Sequence, residues 1–231
     1  MRIRIAAILG TTALALALPA CSPGATTQPV TKAPVARPQD QGSDDSNNRS
    51  LSSAALAARL LTDHDLGDGY TLQPEIPTRH NEVTVLGCPA LGELGDEAAM
   101  GGSLGFSRQA KSSFVHDDGS SSREVSEELY SDTAEKLSTG AEKIFDAMIG
   151  CPAYQVLVDG TAIDVTTQEL AAPQLGDEQW SQLLTFVTSR RTTTVKQTAI
   201  RTDNVLLVLS GSPTLVELHL DRALAKVTAA R

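Results

Sequence analysis

Between Asp132 and Ile149 the apolar positions Ala134, Leu137, Ala141, Ile144, Phe145 and Met148 recur at intervals of three and four. That period is one buried stripe of an α-helix, so the pattern predicts a helix over 132–149. Asp132 and Glu135 stand at capping-box spacing, and Gly150 follows as a residue able to take the left-handed conformation that ends a helix. A second stripe of Val216, Leu220, Ala223, Leu224 and Val227 follows Ser212-Pro213 and predicts a C-terminal helix with proline in its first turn. A shorter helix is expected over 53–61, capped by Ser52 or Ser53, with Leu56, Leu60 and Leu61 on one face; it leads into a turn, DHDLGDGYTL.

Elsewhere the period changes to two. Phe106, Ala110 and Phe114 fall on even positions of 105–115, interrupted by Arg108 and Ser112, and after HDDGSSS the run 123–129 places Val125 and Leu129 together. These two runs read as a hairpin. Runs 154–158 and 162–167 flank Asp159-Gly160, a pair that favours a type I′ turn. Three more strands are expected at 183–189, 194–200 and 205–209, the last two joined tightly at Asp203-Asn204. Val205 to Leu209 is apolar at every position, which places it centrally in the sheet. The fold class that follows is α+β, an antiparallel sheet packed by two or three helices.

The N-terminus follows neither period. Arg2 and Arg4 precede an apolar run from Ile5 to Leu18, about 14 residues, which is short for a span of roughly 30 Å of hydrocarbon. With small residues after it, the run reads as an export signal over 1–20. Leu18-Pro19-Ala20-Cys21 resembles the bacterial lipobox, with Pro19 a departure at the tolerant second place. That resemblance implies diacylation of Cys21 and cleavage before it. The anchor would hold through buried acyl chains, each methylene contributing about 0.8 kcal/mol, without a spanning helix. The alternative is an ordinary secretory signal that leaves Cys21 a free thiol. Residues 21–50, with Pro23, Pro29, Pro34 and Pro38 among Ser, Thr, Gln, Asn and Asp, contain nothing apolar enough to offset the entropy of ordering. They read as a tether, and 51–231 as the folded domain.

Two cysteines remain in the mature chain, Cys88 and Cys151, each preceded by Gly and followed by Pro. In an oxidising compartment two thiols suggest one bridge. Closing 63 residues would contribute about 4 kcal/mol through loss of denatured-state entropy. A redox dithiol or metal pair is the other reading; it lacks Cys-x-x-Cys spacing and a histidine close in sequence.

From Leu51 onward 14 Lys and Arg face 25 Asp and Glu, a balance of -11. Phosphate binding works through clustered cations, and the basic residues here gather only at Arg190-Arg191, with Lys196 and Arg201 downstream. That group reads as a solvated hairpin end, and no nucleic-acid partner is expected. The acidity favours solubility outside the cytoplasm.

The order of elements carries a second resemblance. An N-terminal helix running into LTDHDLGDGYTL, a first Cys-Pro, a hairpin, a helix ending MIGC, a strand meander through LGDEQWSQLLTFVT and a terminal helix are similar to the PknH-like extracellular sensor domain. That family stands at the outer end of actinobacterial receptor kinases and also occurs as free-standing lipoproteins. The likeness spans roughly residues 53–230. It implies a ligand-binding cleft at the outer membrane surface, with the ligand unspecified. Two departures from that pattern are expected: no transmembrane helix or kinase in cis, and one cysteine pair where the kinase sensor has two.

Catalytic signatures are missing from the sequence: no Gly-x-Ser-x-Gly, His-Glu-x-x-His, phosphate loop or dinucleotide fingerprint. His64, His80, His116 and His219 lie far apart, and each reads as a surface or satisfied histidine. Asp63, Asp65 and Asp68 look like calcium ligands, but counting from Asp63 the sixth and twelfth places of an EF-hand loop fall on Asp68 and Pro74. Trp180 reads as core or hinge packing rather than a glycan platform. The expectation is a non-enzymatic lipoprotein without cofactor or metal, anchored to the membrane through Cys21 and presenting a site to a cell-wall or envelope ligand. The alternative is an interaction or scaffold lipoprotein without a small-molecule site, its protein partner unidentified.

Overall fold

The computed structural model describes residues 50–74, 83–95, 105–119, 121–189 and 191–229. The expected signal, Cys21 and nearly all of the tether lie outside the described residues. Five helices and nine strands are present among them: α1 (Ser53–Ala57), α2 (Asp63–Leu66), α3 (Pro89–Glu93), α4 (Ala134–Ile149) and α5 (Pro213–Ala229). The strands are β1 (Tyr70–Gln73), β2 (Val83–Leu86), β3 (Arg108–Asp117), β4 (Ser122–Ser131), β5 (Ala153–Val158), β6 (Thr161–Glu169), β7 (Glu178–Val187), β8 (Thr192–Thr202) and β9 (Val205–Gly211). They form one sheet in the order β1-β3-β4-β9-β8-β7-β6-β5-β2, every neighbour antiparallel. The α+β class read from the sequence holds, with α2 and α3 as short additions.

Each face of the sheet is covered over a different half. On the front, α5 and the N-terminal helices bury Leu56, Leu60, Leu61, Leu215, Val216, Leu220 and Val227 against Phe114, Val125, Leu129, Ile200, Leu207 and Leu209. On the back, α4 lays Leu137, Ala141 and Phe145 on Tyr130, Ala199, Leu206 and Val208. Farther along, Ala147 and Met148 join α3 through Leu91 over Tyr154, Val156, Val165 and Leu184. Only the centre of the sheet has helices on both sides. This is why Val205 to Leu209 are all buried and why that run shows no alternation. Each such Leu or Val side chain contributes about 1.5–3 kcal/mol by leaving water.

Local chemistry departs from expectation at several ends. The N-cap of α4 is Thr133, whose hydroxyl accepts from Lys136 N, because the Asp132 carboxylate is engaged by Ser107 N and Oγ and by Lys136 Nζ. Burial opposes ionisation of Asp132, but these donors win and hold its pKa well below the usual carboxylate range. Gly150 is not left-handed: at φ -65 it stays right-handed, and Cys151 N closes a tighter turn on Met148 O. The first helix is α1 alone, capped by Ser52, and DHDLGDGYTL holds more than a turn. Thr62 and Asp65 form a capping box that opens α2, and YTL begins edge strand β1. Asp159 and Gly160 both take positive φ, as the type I′ reading requires.

Candidate functional site

The site that stands out is a break in the middle of the sheet, created by unequal strand lengths. Strand β9 lies between β4 and β8, and its last ladder partners are Val125 and Lys196, both opposite Gly211. Strand β4 continues past that point through Ser122, and β8 through Thr192, with no described strand between them. Gly211 is required there. Its φ is +146, and a Cβ on it would stand 2.2 Å from Glu124 O and 2.8 Å from Val125 Cα. Ser212 N then donates to Glu124 O, and Pro213, which has no N–H, starts α5 and takes the chain out of the sheet.

The result is a notch of about 660 Å³ between two hairpin tips, a size in the range of ligand sites. Ser210, Gly211 and Ser212 form its floor. One wall carries Val115, Ser122, Arg123, Glu124 and Ser126; the other carries Arg191, Thr192, Thr193, Thr194 and Val195. Both tips are tied down locally. Asp118 N reaches Ser121 O, the Asp118 carboxylate accepts from Ser121 N, and Arg123 Nη2 donates to Asp118 Oδ2 at 2.7 Å. At the other tip Thr188 N reaches Arg191 O, and Arg191 N donates to Thr188 Oγ1. At the floor the Ser126 and Ser210 hydroxyls stand 3.1 Å apart. The walls therefore offer hydroxyls, backbone groups, two guanidiniums and one carboxylate, with Val115 and Val195 as apolar patches.

Two other polar groups sit under α5. Tyr70 Oη and His219 Nε2 are 2.6 Å apart, and the Tyr70 ring lies 4.5 Å from that of His116. Burial, then the charges of Arg222 and His116, lower the His219 pKa. Nearby Glu127, 1 % exposed, accepts from Leu61 N through Oε2 at 2.6 Å. Its Oε1 and the Ser112 hydroxyl, on the residue opposite it in β3, have no hydrogen-bond partner among the described residues. Burial pushes the Glu127 pKa up to about 7, against the Leu61 hydrogen bond and the charge of Lys226. Lys226 Nζ in turn donates to Leu60 O and Asp65 Oδ2.

Of the residues singled out in the sequence, Cys88 and Cys151 are brought together as a disulfide, Cα to Cα 5.6 Å. The bridge ties the end of α4 to the start of α3. Asp65 serves the α2 capping box and the Lys226 pair, and Trp180 stacks on Phe145 of α4. Arg191 is at a hairpin tip, as expected; Arg190 and His80 lie outside the described residues. Lys196 is paired with Glu217, and Arg201 with Asp177 and Glu178. Arg191, read from the sequence as part of a solvated hairpin end, is the one notch residue weighed there as a binding group; the rest were not, since three distant segments make the notch. Among the described residues, no three His, Cys, Asp or Glu side chains gather as a metal site.

The described residues form an α+β domain, a nine-stranded antiparallel sheet half covered by helices on each face. Its fold is that of the extracellular domain of PknH from Mycobacterium tuberculosis, whose crystal structure matches with a TM-score of 0.58. The match covers 79% of this chain and 99% of that one, at 14% sequence identity. A structure of an uncharacterized protein from Mycobacterium smegmatis, the Rv0999 ortholog, covers 71% of this chain and 88% of its own, at 13% identity and a TM-score of 0.31. No family model matches the chain, and no curated protein does.

Proposed function

We propose that this chain is a membrane-anchored extracytoplasmic lipoprotein whose folded domain is a ligand-binding, sensor-like module of the cell envelope, with the notch as its binding site. The observation that carries the reading is the break between β4 and β8 in a domain that shares its fold with an extracellular domain of PknH. The lipobox-like Leu18-Pro19-Ala20-Cys21 supports anchoring through acylated Cys21. The module holds its ligand without turning it over, and needs no cofactor.

The test is a thermal-shift screen of the full chain, extracted from membranes, against muropeptides, glycans and lipids. A ligand binding only the native state stabilises it by RT ln(1 + L/Kd) at free concentration L, so the midpoint climbs logarithmically once the ligand exceeds its Kd. The expected result is stabilisation by one of these classes with that logarithmic dose dependence, abolished by Thr193→Trp, which fills the notch from the β8 wall. Stabilisation only by an envelope protein, unaffected by Thr193→Trp, would favour the scaffold alternative instead. Intact-mass analysis of the same material checks the anchor: a mature chain beginning at acylated Cys21 is expected, and an unlipidated chain retaining Met1 would refute it.

A further inference from the structure

The notch is shaped by main chain more than by side chains. In an antiparallel ladder the N–H and C=O of one residue point to the same side, and successive residues alternate sides. The bond from Asp118 N to Ser121 O closes the β3–β4 hairpin, so Ser122 and Glu124 turn their backbone groups away from β3, into the break. Glu124 O accepting from Ser212 N shows the same phase. At the other hairpin, Thr188 N to Arg191 O sets Thr192 and Thr194 facing away from β7, into the break from the opposite side. Ser212 uses Glu124, and Pro213 has no N–H to offer Thr194. Three residues, Ser122, Thr192 and Thr194, thus present backbone donors and acceptors to a space with no described strand in it. Where β9 lies between them, β4 and β8 are held two strand spacings apart, about 10 Å at roughly 4.8 Å each.

We infer that the notch takes the end of an extended polypeptide, which enters as a short strand continuing the line of β9 and pairs with Thr194, Ser122 and Thr192 in turn. This rests on the reading of the notch as the binding site and specifies what it binds. Ser212 and Pro213 block the inner end, so a chain terminus enters rather than the middle of a chain. Main-chain bonds supply the affinity in strand addition of this kind, and alternate side chains supply selectivity. Here one face of the guest would meet Thr193, Val195 and Glu124, and the other Arg123, Thr192 and Thr194. An unpaired strand edge is also a hazard, and its placement between two walls keeps it from pairing with a whole second sheet.

The experiment is selection of the full chain against a library of random seven-residue peptides with free ends, followed by hydrogen exchange on the complex. Selected peptides are expected to slow exchange of the Ser122, Thr192 and Thr194 amides at least tenfold. Thr194→Pro is expected to weaken binding at least tenfold; it removes an N–H that no described strand uses. Exchange on the unmutated chain decides the matter even if that variant folds poorly. Bound peptides that leave the three amides unprotected would overturn the inference. If instead a glycan or lipid saturably perturbs Ser122, Thr193 and Ser210 while no peptide does, strand capture is wrong and the binding notch stands. If nothing perturbs them, both readings fall.

Discussion

The two faces of the sheet attach their helices by different means. On the back, α4 and α3 are joined covalently by Cys88–Cys151 beside an apolar cluster of Leu91, Met148, Tyr154 and Val165. On the front, α5, α1 and α2 also cover a large apolar core, but ionisable groups are sealed beneath them: Glu127, with Lys226 and Asp65 at its margin, and His219 against Tyr70. A covalent tie is indifferent to protons and sensitive to reductant; buried ionisable groups are the reverse. The back of the domain is therefore expected to answer to redox conditions and the front to pH.

The largest effect should come from the back. Cys88→Ser with Cys151→Ser, or reduction of the native chain, is expected to lower unfolding stability by about 4 kcal/mol, read from urea unfolding. The loss should be nearly the same at pH 5 and pH 8. A loss confined to one pH, or none at all, would mean that apolar packing holds α3 and α4 without the bridge.

On the front the expected effect is next in size and changes with pH. The Glu127 pKa is raised in the folded state, from 4.5 to about 7. Between those values the folded chain holds a proton that the unfolded chain has lost, so stability falls as pH rises through the window and is flat above it. The accumulated cost is about 3 kcal/mol at pH 8. Glu127→Gln keeps the acceptor for Leu61 N and should be more stable than the parent by up to that amount at pH 8, and equal to it near pH 4. His219 acts in the opposite sense. Its lowered pKa makes stability fall as pH drops below 6.5, so the Gln variant should expose a rising slope that the parent partly cancels. If Glu127→Gln is destabilising at pH 8, Glu127 is ionised in the native state without penalty and the front is not the pH-sensitive face.

This contrast also explains what the sequence disclosed. Helices α4 and α5 were legible because a stripe of apolar residues at helical spacing depends only on near neighbours. The Cys88–Cys151 pair was legible by elimination. The sealed chemistry of the front was not. Glu127 lies in the polar-looking run SEEL, and only the arrival of Leu61, 66 residues earlier in the chain, buries it. Nor was the notch legible, since it depends on β9 ending at Gly211 while β4 and β8 run on. Strand β1 was hidden for a related reason: YTLQ gains its strand character from pairing with Ser113 to His116, and the glycines before it read as a turn. Asp132 looked like a cap because its use by Ser107 is tertiary.

The smallest effect tests whether the front groups act as a unit. Burial opposes the charge on Asp65, but hydrogen bonds from Lys226 and Thr62 prevail and hold its pKa at about 2, against 3.8 when unperturbed. A lowered carboxylate pKa contributes stability that is present above 3.8 and lost as pH falls toward 2. Because the pair is partly solvated, with side chains 26% and 23% exposed, its contribution is discounted to about 1 kcal/mol. Asp65→Asn should therefore cost about that much at neutral pH and little at pH 2. It should also do something a lone surface pair would not. Asp65 raises the Glu127 pKa through like charge, whereas Lys226 lowers it. Removing the Asp65 charge leaves Lys226 free to favour ionised Glu127, so the midpoint of the Glu127 titration should move down, read from the carboxyl carbon shift by NMR. An unmoved midpoint would make Asp65–Lys226 a local clasp on α2, electrically separate from the buried glutamate. A lower one would make the N-terminal helices and α5 a single ionisable assembly over the front of the sheet.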